Sequence, residues 1–202
     1  MDARDTISRV LSQRYHPRAM IVYGSYARGD WDEESDFDCL LIADSKPCDH
    51  DGSLIEGVTL DCFLFTVEET LAEDLDPFLP IVDGVIVFDD GVGCALMERV
   101  RRHVETHAQT SAEEKAFLRA WIEKTLRRTE KGDDEGHFRA AALLAESLED
   151  YCLLRDRFYC GSKKTIAFLR EYDPKGHALF QRAITHSGAD SLRRWAEYII
   201  RE

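Results

Sequence analysis

Apolar and polar positions change rhythm along this chain. Between Thr6 and Tyr15 the apolar residues Ile7, Val10 and Leu11 follow the spacing of a short amphipathic helix, which His16-Pro17 ends. Ala19 to Tyr23 is apolar throughout and reads as a buried strand. Gly24-Ser25 follows at once, and Tyr26-Ala27-Arg28 reads as a helix start with Ser25 near its N-terminus. Residues 29–35 are polar and loop-like. A second strand is expected over Phe37–Ala43 and a third over Val58–Thr66, separated by a turn-rich stretch from Asp44 to Ser53 with Pro47 and Gly52. Val67 to Thr70 opens a short helix, Val85 to Phe88 makes a fourth strand or a sheet edge, and Cys94 to His107 is helical.

From Ser111 onward nearly every segment carries the helical period, over about 112–130, 135–158, 162–172, 175–187 and 189–201. Ser111 with Glu114 forms a capping-box start. Gly132, Gly161, Pro174, Gly176 and Gly188 punctuate the helices. The pattern therefore predicts an α+β protein: a domain of mixed sheet and helices over residues 1–109, then an all-α helical bundle over residues 110–202.

Charge sharpens this division. The net charge is −13. Residues 1–110 hold 23 acids against 9 Lys and Arg, a net of −14, and residues 111–202 hold 16 against 17, a net of +1. So acidic a first half repels nucleic acid backbones, and general nucleic-acid binding is not expected. It suits a metal–nucleotide complex or a cationic small molecule. No apolar run is long enough to span a membrane, and Met1 to Arg4 begins no apolar leader, so a cytoplasmic protein is expected. The six cysteines form no Cys-x-x-Cys pair and read as reduced, mostly buried thiols.

The chemistry concentrates between Val22 and Ile42. A buried strand running into Gly24 lets the backbone turn sharply and approach a ligand. Ser25 adds a hydroxyl at a helix start, a phosphate-sized anion site, and Arg28 adds a cation one turn on. Asp36 and Asp38 alternate with Phe37 and so share one face of the strand. Two carboxylates on one face repel unless a divalent cation lies between them, and Mg²⁺ accepts one or two carboxylates together with substrate phosphates. Asp61 sits within Leu60-Asp-Cys-Phe-Leu-Phe65, where an acid is costly to bury without a partner. A pairing of this strand with Phe37–Ala43 brings Asp61 to the same metals, and two metals would activate an attacking hydroxyl and steady a leaving group.

These residues resemble the polymerase-β-like nucleotidyltransferase superfamily. Its signature is a hydrophobic strand, Gly-Ser, Asp-x-Asp on the next strand, and a third acid on a later one. Gly24-Ser25 and Asp36-Phe-Asp38 match, with ten residues between Ser25 and Asp36, and Asp61 fits the third position. The form Gly-Ser-x-Ala-Arg-Gly, then Ser35-Asp-x-Asp, is similar to the small bacterial branch of minimal and antibiotic nucleotidyltransferases. The resemblance implies transfer of a nucleoside monophosphate, AMP from ATP or another nucleoside triphosphate, to a hydroxyl of a small molecule such as an aminoglycoside, with release of pyrophosphate. It implies that Gly24, Ser25, Arg28 and Ser35 contact the nucleotide. Asp36, Asp38 and Asp61 would bind two Mg²⁺, and Asp61 would serve the acceptor. Relatives also allow a homodimer. The same site would serve an antitoxin-like enzyme modifying a protein partner, or a nucleotide-binding module without turnover. The dedicated second half and the intact set of acids favour a small-molecule acceptor.

Antibiotic nucleotidyltransferases carry a helical domain in which a helix-borne acid acts as general base. Glu146 and Glu149 lie three apart on one helix. Glu149, flanked by Ala145, Cys152 and Leu153, is the one expected to be semi-buried and to accept the acceptor proton. Lys164 is expected to reach triphosphate oxygens. Trp121, Tyr151, Phe158, Tyr159 and Trp195 read as mostly core, one or two lining an acceptor cleft between the halves.

Overall fold

Strand period dictates the first half of the molecule. In this computed structural model, which describes residues 3–186 and 189–201, strands β1 (Ala19–Val22), β2 (Phe37–Ala43), β3 (His50–Asp51), β4 (Leu54–Ile55), β5 (Val58–Thr66) and β6 (Val85–Asp89) form one mixed sheet. The order is β3-β5-β2-β1-β6, with β4 also paired to β5. β2 and β5 run parallel, and the other pairs are antiparallel. The expected break at Gly188 lies outside the described residues.

Alternate side chains fill two apolar layers. On one face Met20, Val22, Phe37, Cys39, Leu41, Leu60, Cys62 and Leu64 pack under α1 (Ala3–Tyr15), through Ile7 and Leu11, and under α2 (Gly24–Arg28), through Tyr26. On the other face Ala19, Ile21, Leu40 and Ile42 pack under a 3-10 segment, Asp76–Asp83, and under α3 (Val92–Thr106). Asp38 is in phase with Leu40 and Ile42, and Asp61 with Phe63 and Phe65. That second face changes from carboxylate to hydrocarbon within two residues of each strand.

The compact units are Met1–His103 and Val104–Glu202. The second holds α4 (Ala112–Thr129), α5 (Asp134–Leu154), α6 (Ser162–Tyr172), α7 (Pro174–Thr185) and α8 (Ala189–Arg201) around the fully buried Trp195. The Trp195 indole donates to the Ser147 hydroxyl at 2.9 Å. Ser111 and Glu114 close the expected capping box at the start of α4.

Four details differ from the sequence expectation. The stretch Asp44–Ser53 contains β3 rather than turns alone, because His50 and Asp51 pair with Phe63 and Cys62 of β5. Helix α2 begins at Gly24, two residues earlier than expected. Helix α5 stops at Leu154, not near 158, because Asp156 adopts a left-handed φ of 54° and the Arg157 amide turns back to the Cys152 carbonyl. Of the six thiols, Cys39, Cys62 and Cys152 are buried, while Cys48 and Cys94 are exposed.

A polar anchor ties α1 to the β3–β4 turn. Asp51 is buried and accepts from Arg14 at 2.6 Å, from the Tyr15 hydroxyl at 2.7 Å and from the Ser53 amide at 2.9 Å. Burial alone would push its carboxyl up, but hydrogen bonds from Tyr15, Ser53 and Arg14 outweigh this and hold it at about 2, below its usual 3.8. A lowered carboxyl stabilises the fold above its unfolded value and loses that stability as pH falls toward 2. Asp51→Asn should therefore cost about 2 kcal/mol at pH 7. The gap from wild type should narrow between pH 4 and pH 2, as read by urea titration at each pH.

Candidate functional site

Gly24 and Asp38 are built around each other. Gly24 has φ +66°, and a Cβ there would stand 1.9 Å from Asp38 Oδ2. The Tyr23 amide, just before it, donates to the Asp38 carbonyl at 3.1 Å. Only a residue without a side chain lets the β1–α2 corner lie against this carboxylate. Ser25 follows in the single turn of α2, its carbonyl accepting the amides of Gly29 and Asp30 at 2.8 and 3.2 Å.

The parallel register places Asp38 opposite Asp61. Neighbouring strands lie about 4.8 Å apart, so the two carboxylates share one face at close range. Asp61 is 41% exposed, and its Oδ1 lies 2.8 Å from His50 Nε2. The His50 ring also packs on Phe63, with centroids 4.8 Å apart. His50 was not visible as a site residue in the sequence. The apolar run around Asp61 signalled that this acid needs a partner, but naming it requires the β3–β5 pairing.

The other expected residues are less closely gathered. Asp36 is exposed and precedes β2 by one residue instead of lying in it. Ser35 closes the loop ahead of it, donating its hydroxyl to Asp32 Oδ1 at 2.9 Å and accepting the Asp32 amide at 3.0 Å. Trp31 stacks on Tyr26 at 5.2 Å, and Tyr26 meets Phe37 edge-on at 5.0 Å, which pins this loop to the sheet. Arg28 ends α2 and pairs with Asp30 at 3.1 Å. Among the described residues no three His, Cys, Asp or Glu side chains converge so as to hold a metal ion by themselves. The donor set still fits Mg²⁺, a hard cation that takes carboxylate oxygens and draws further ligands from phosphate and water.

Glu149 and Lys164 belong to the second unit. Lys164 lines a small cavity of about 150 Å³ with Cys152, Arg157, Thr165 and Phe168. Glu149 is exposed, as is Glu146, so the expectation of a semi-buried Glu149 fails. The buried acid of α5 is its neighbour Asp150, 5% exposed, whose Oδ2 has no hydrogen-bond partner among the described residues. Burial, then the charges of Glu146 and Glu149, push its carboxyl up to about 7. The helical stripe Leu143, Ser147, Asp150, Tyr151 and Leu154 carries the signal, because all five are buried at one helix's spacing.

Comparison with known proteins bears on the first unit. Residues 4–78 match the family model of the nucleotidyltransferase domain, a stretch that includes Gly24, Ser25, Asp36, Asp38 and Asp61. The chain is also similar to a solved nucleotidyltransferase-like protein from Exiguobacterium sibiricum 255-15. The TM-score is 0.40 at 12% identity, covering 98% of this chain and 74% of that one. No curated protein matches.

Gly24→Ala should destabilise the first unit by about 2 kcal/mol or more, through overlap with Asp38 and the left-handed φ. In an Asp38→Ala background the overlap shrinks to a 3.1 Å contact with the Cβ at position 38, and the same change should cost only about 1 kcal/mol. Equal penalties in both backgrounds, read by urea titration, would disprove the contact. For Asp150 the sign is opposite to that of Asp51. The folded state keeps its proton to higher pH than the unfolded chain, so wild-type stability falls as pH rises from about 4 to about 7. Asp150→Asn should remove that fall and stabilise the protein near pH 8, by roughly 4 kcal/mol at most. Thermal melts at both ends of this range check it.

Proposed function

We propose, from the match of residues 4–78 to the nucleotidyltransferase domain model, that this protein transfers a nucleoside monophosphate, AMP from ATP in the first instance, to a hydroxyl of a small molecule. The observation that carries the reading is the interlock of Gly24 with Asp38, beside Asp61 in strand register. It joins the phosphate-approach corner and the acids into one locus. The acceptor oxygen attacks the α-phosphorus and a new P–O bond forms. The bond to the bridging oxygen breaks, pyrophosphate leaves, and the acceptor proton passes to Asp61 or to solvent.

Each side chain then has a task. Gly24 admits the phosphates to the backbone, and the Ser25 hydroxyl and amide contact them. Asp38 and Asp61 would hold Mg²⁺, with Asp36 as a further ligand. Bound Mg²⁺ supplies charge neutralisation of the triphosphate and of the leaving group. His50 holds one oxygen of Asp61 and so fixes the orientation of that carboxylate. Ser35 keeps the loop before Asp36 in shape, and Arg28 stands at the end of α2 as an auxiliary cation. In the helical unit, Lys164 is a candidate phosphate contact and Glu149 a candidate base for the acceptor.

The test is pyrophosphate release from Mg²⁺ and each common nucleoside triphosphate, screened against hydroxylated amines that include aminoglycosides. Asp38→Asn and Asp61→Asn should each lower turnover by at least about a hundredfold. Their circular dichroism should stay unchanged. Wild-type turnover in Asp38→Asn would overturn the assignment.

A further inference from the structure

The face that carries Asp38 and Asp61 continues directly into a cavity of about 320 Å³. Its floor is Tyr23, Leu40 and Ile81, all buried, and its walls are Phe63 and Phe65 with Asp76 at the rim. Leu40 is two residues beyond Asp38 on β2, and Phe63 two beyond Asp61 on β5, so cavity and acids are about 7 Å apart along the strands. The cavity lies wholly within the first unit.

Its chemistry is one-sided. Among the described residues neither Lys nor Arg lines it. Lys46 lies over the Phe65 ring at 5.5 Å, but its ammonium is taken up by Asp49 at 2.8 Å and Glu69 at 2.6 Å. Phe63 is 39% exposed, an aromatic ring left in water beside a polar site. Tyr23, whose amide donates to the Asp38 carbonyl at 3.1 Å, ties the cavity floor to the acid-bearing strand. Aromatic faces beside the Asp76 carboxylate favour an organic cation. The volume is at the small end of ligand pockets, which run from roughly 300 to 1,000 Å³, and so fits one ring system. A polyhydroxylated, polycationic oligosaccharide would leave these rings unsatisfied.

We propose that this cavity is the acceptor subsite, and that it receives the apolar, ammonium-bearing body of a hydroxylated amine whose hydroxyl lies at Asp61. The inference rests on the nucleotidyl-transfer reading and narrows its substrate class. Phe63 and Phe65 bury the apolar body, Asp76 faces the ammonium, and the nucleotide keeps to the Gly24–Ser25 corner.

Calorimetry on the full chain with Mg²⁺ and ATP present tests this with four probes: phenylethanolamine, phenylethanol, ethanolamine and phenyllactate. Phenylethanolamine should bind at least about tenfold more tightly than the other three, which lack its charge or its ring or carry the opposite charge. Phe63→Ala should weaken it by about tenfold, and Asp76→Asn should erase its advantage over phenylethanol while binding Mg²⁺–ATP as wild type does. The proposal falls if no probe binds, or if phenylethanol binds as well as phenylethanolamine. It falls also if raising the ATP concentration weakens phenylethanolamine binding, because the cavity then holds the nucleobase. Failure of Mg²⁺–ATP binding in the wild type would count against nucleotidyl transfer itself, and so is separable from these outcomes.

Discussion

The carboxylate of Asp38 occupies the volume in which any other residue at position 24 would keep its side chain. Much of the first unit is arranged around that contact. The β1–α2 corner can come so close only because Gly24 tolerates a positive φ, and it is held there by the Tyr23 amide on the Asp38 carbonyl. Behind it, Phe37, Cys39 and Leu41 are fully buried, so β2 cannot rotate to relieve the crowding. The acid is therefore presented by a strand locked in the apolar packing of the sheet, which is what a site that orients charged groups requires.

A single sheet face does two jobs because its chemistry changes along the strands. At one end, carboxylates in register create a negative field. At the other, Leu40, Phe63 and Phe65 offer hydrocarbon. The face turned to α1 and α2 stays apolar throughout, and it bears the packing energy that lets the opposite face keep exposed acids and a ring in water. The negative excess of residues 1–110 thus has a focus in space as well as a sum.

How much of this was legible in the sequence follows from the range of each interaction. β2 and β5 run over Phe37–Ala43 and Val58–Thr66, the limits that apolar runs and turn residues mark locally. The need for glycine before Ser25 was likewise local. His50 was hidden because its meaning depends on a two-residue strand, and so short a strand carries no period of its own. The burial of α5 follows helical phase and not the apolar immediate neighbours of Glu149. Asp150, seven residues after Leu143, lies on the buried stripe, and Glu149 points to water.

Strand β5 pairs with β2, β3 and β4, and none of those pairs can form before it exists. Its union with β2 is parallel and joins residues far apart in the chain, the slow kind of closure. A nascent chain that has emerged as far as Ala43 already carries the glycine, the serine and two of the acids, yet it has no register partner for Asp38. The two acids therefore come into register only when β5 docks beside β2. A fragment cut before Val58 would keep Gly24, Ser25, Asp36 and Asp38 but would lack Asp61 and the strand that sets it opposite Asp38.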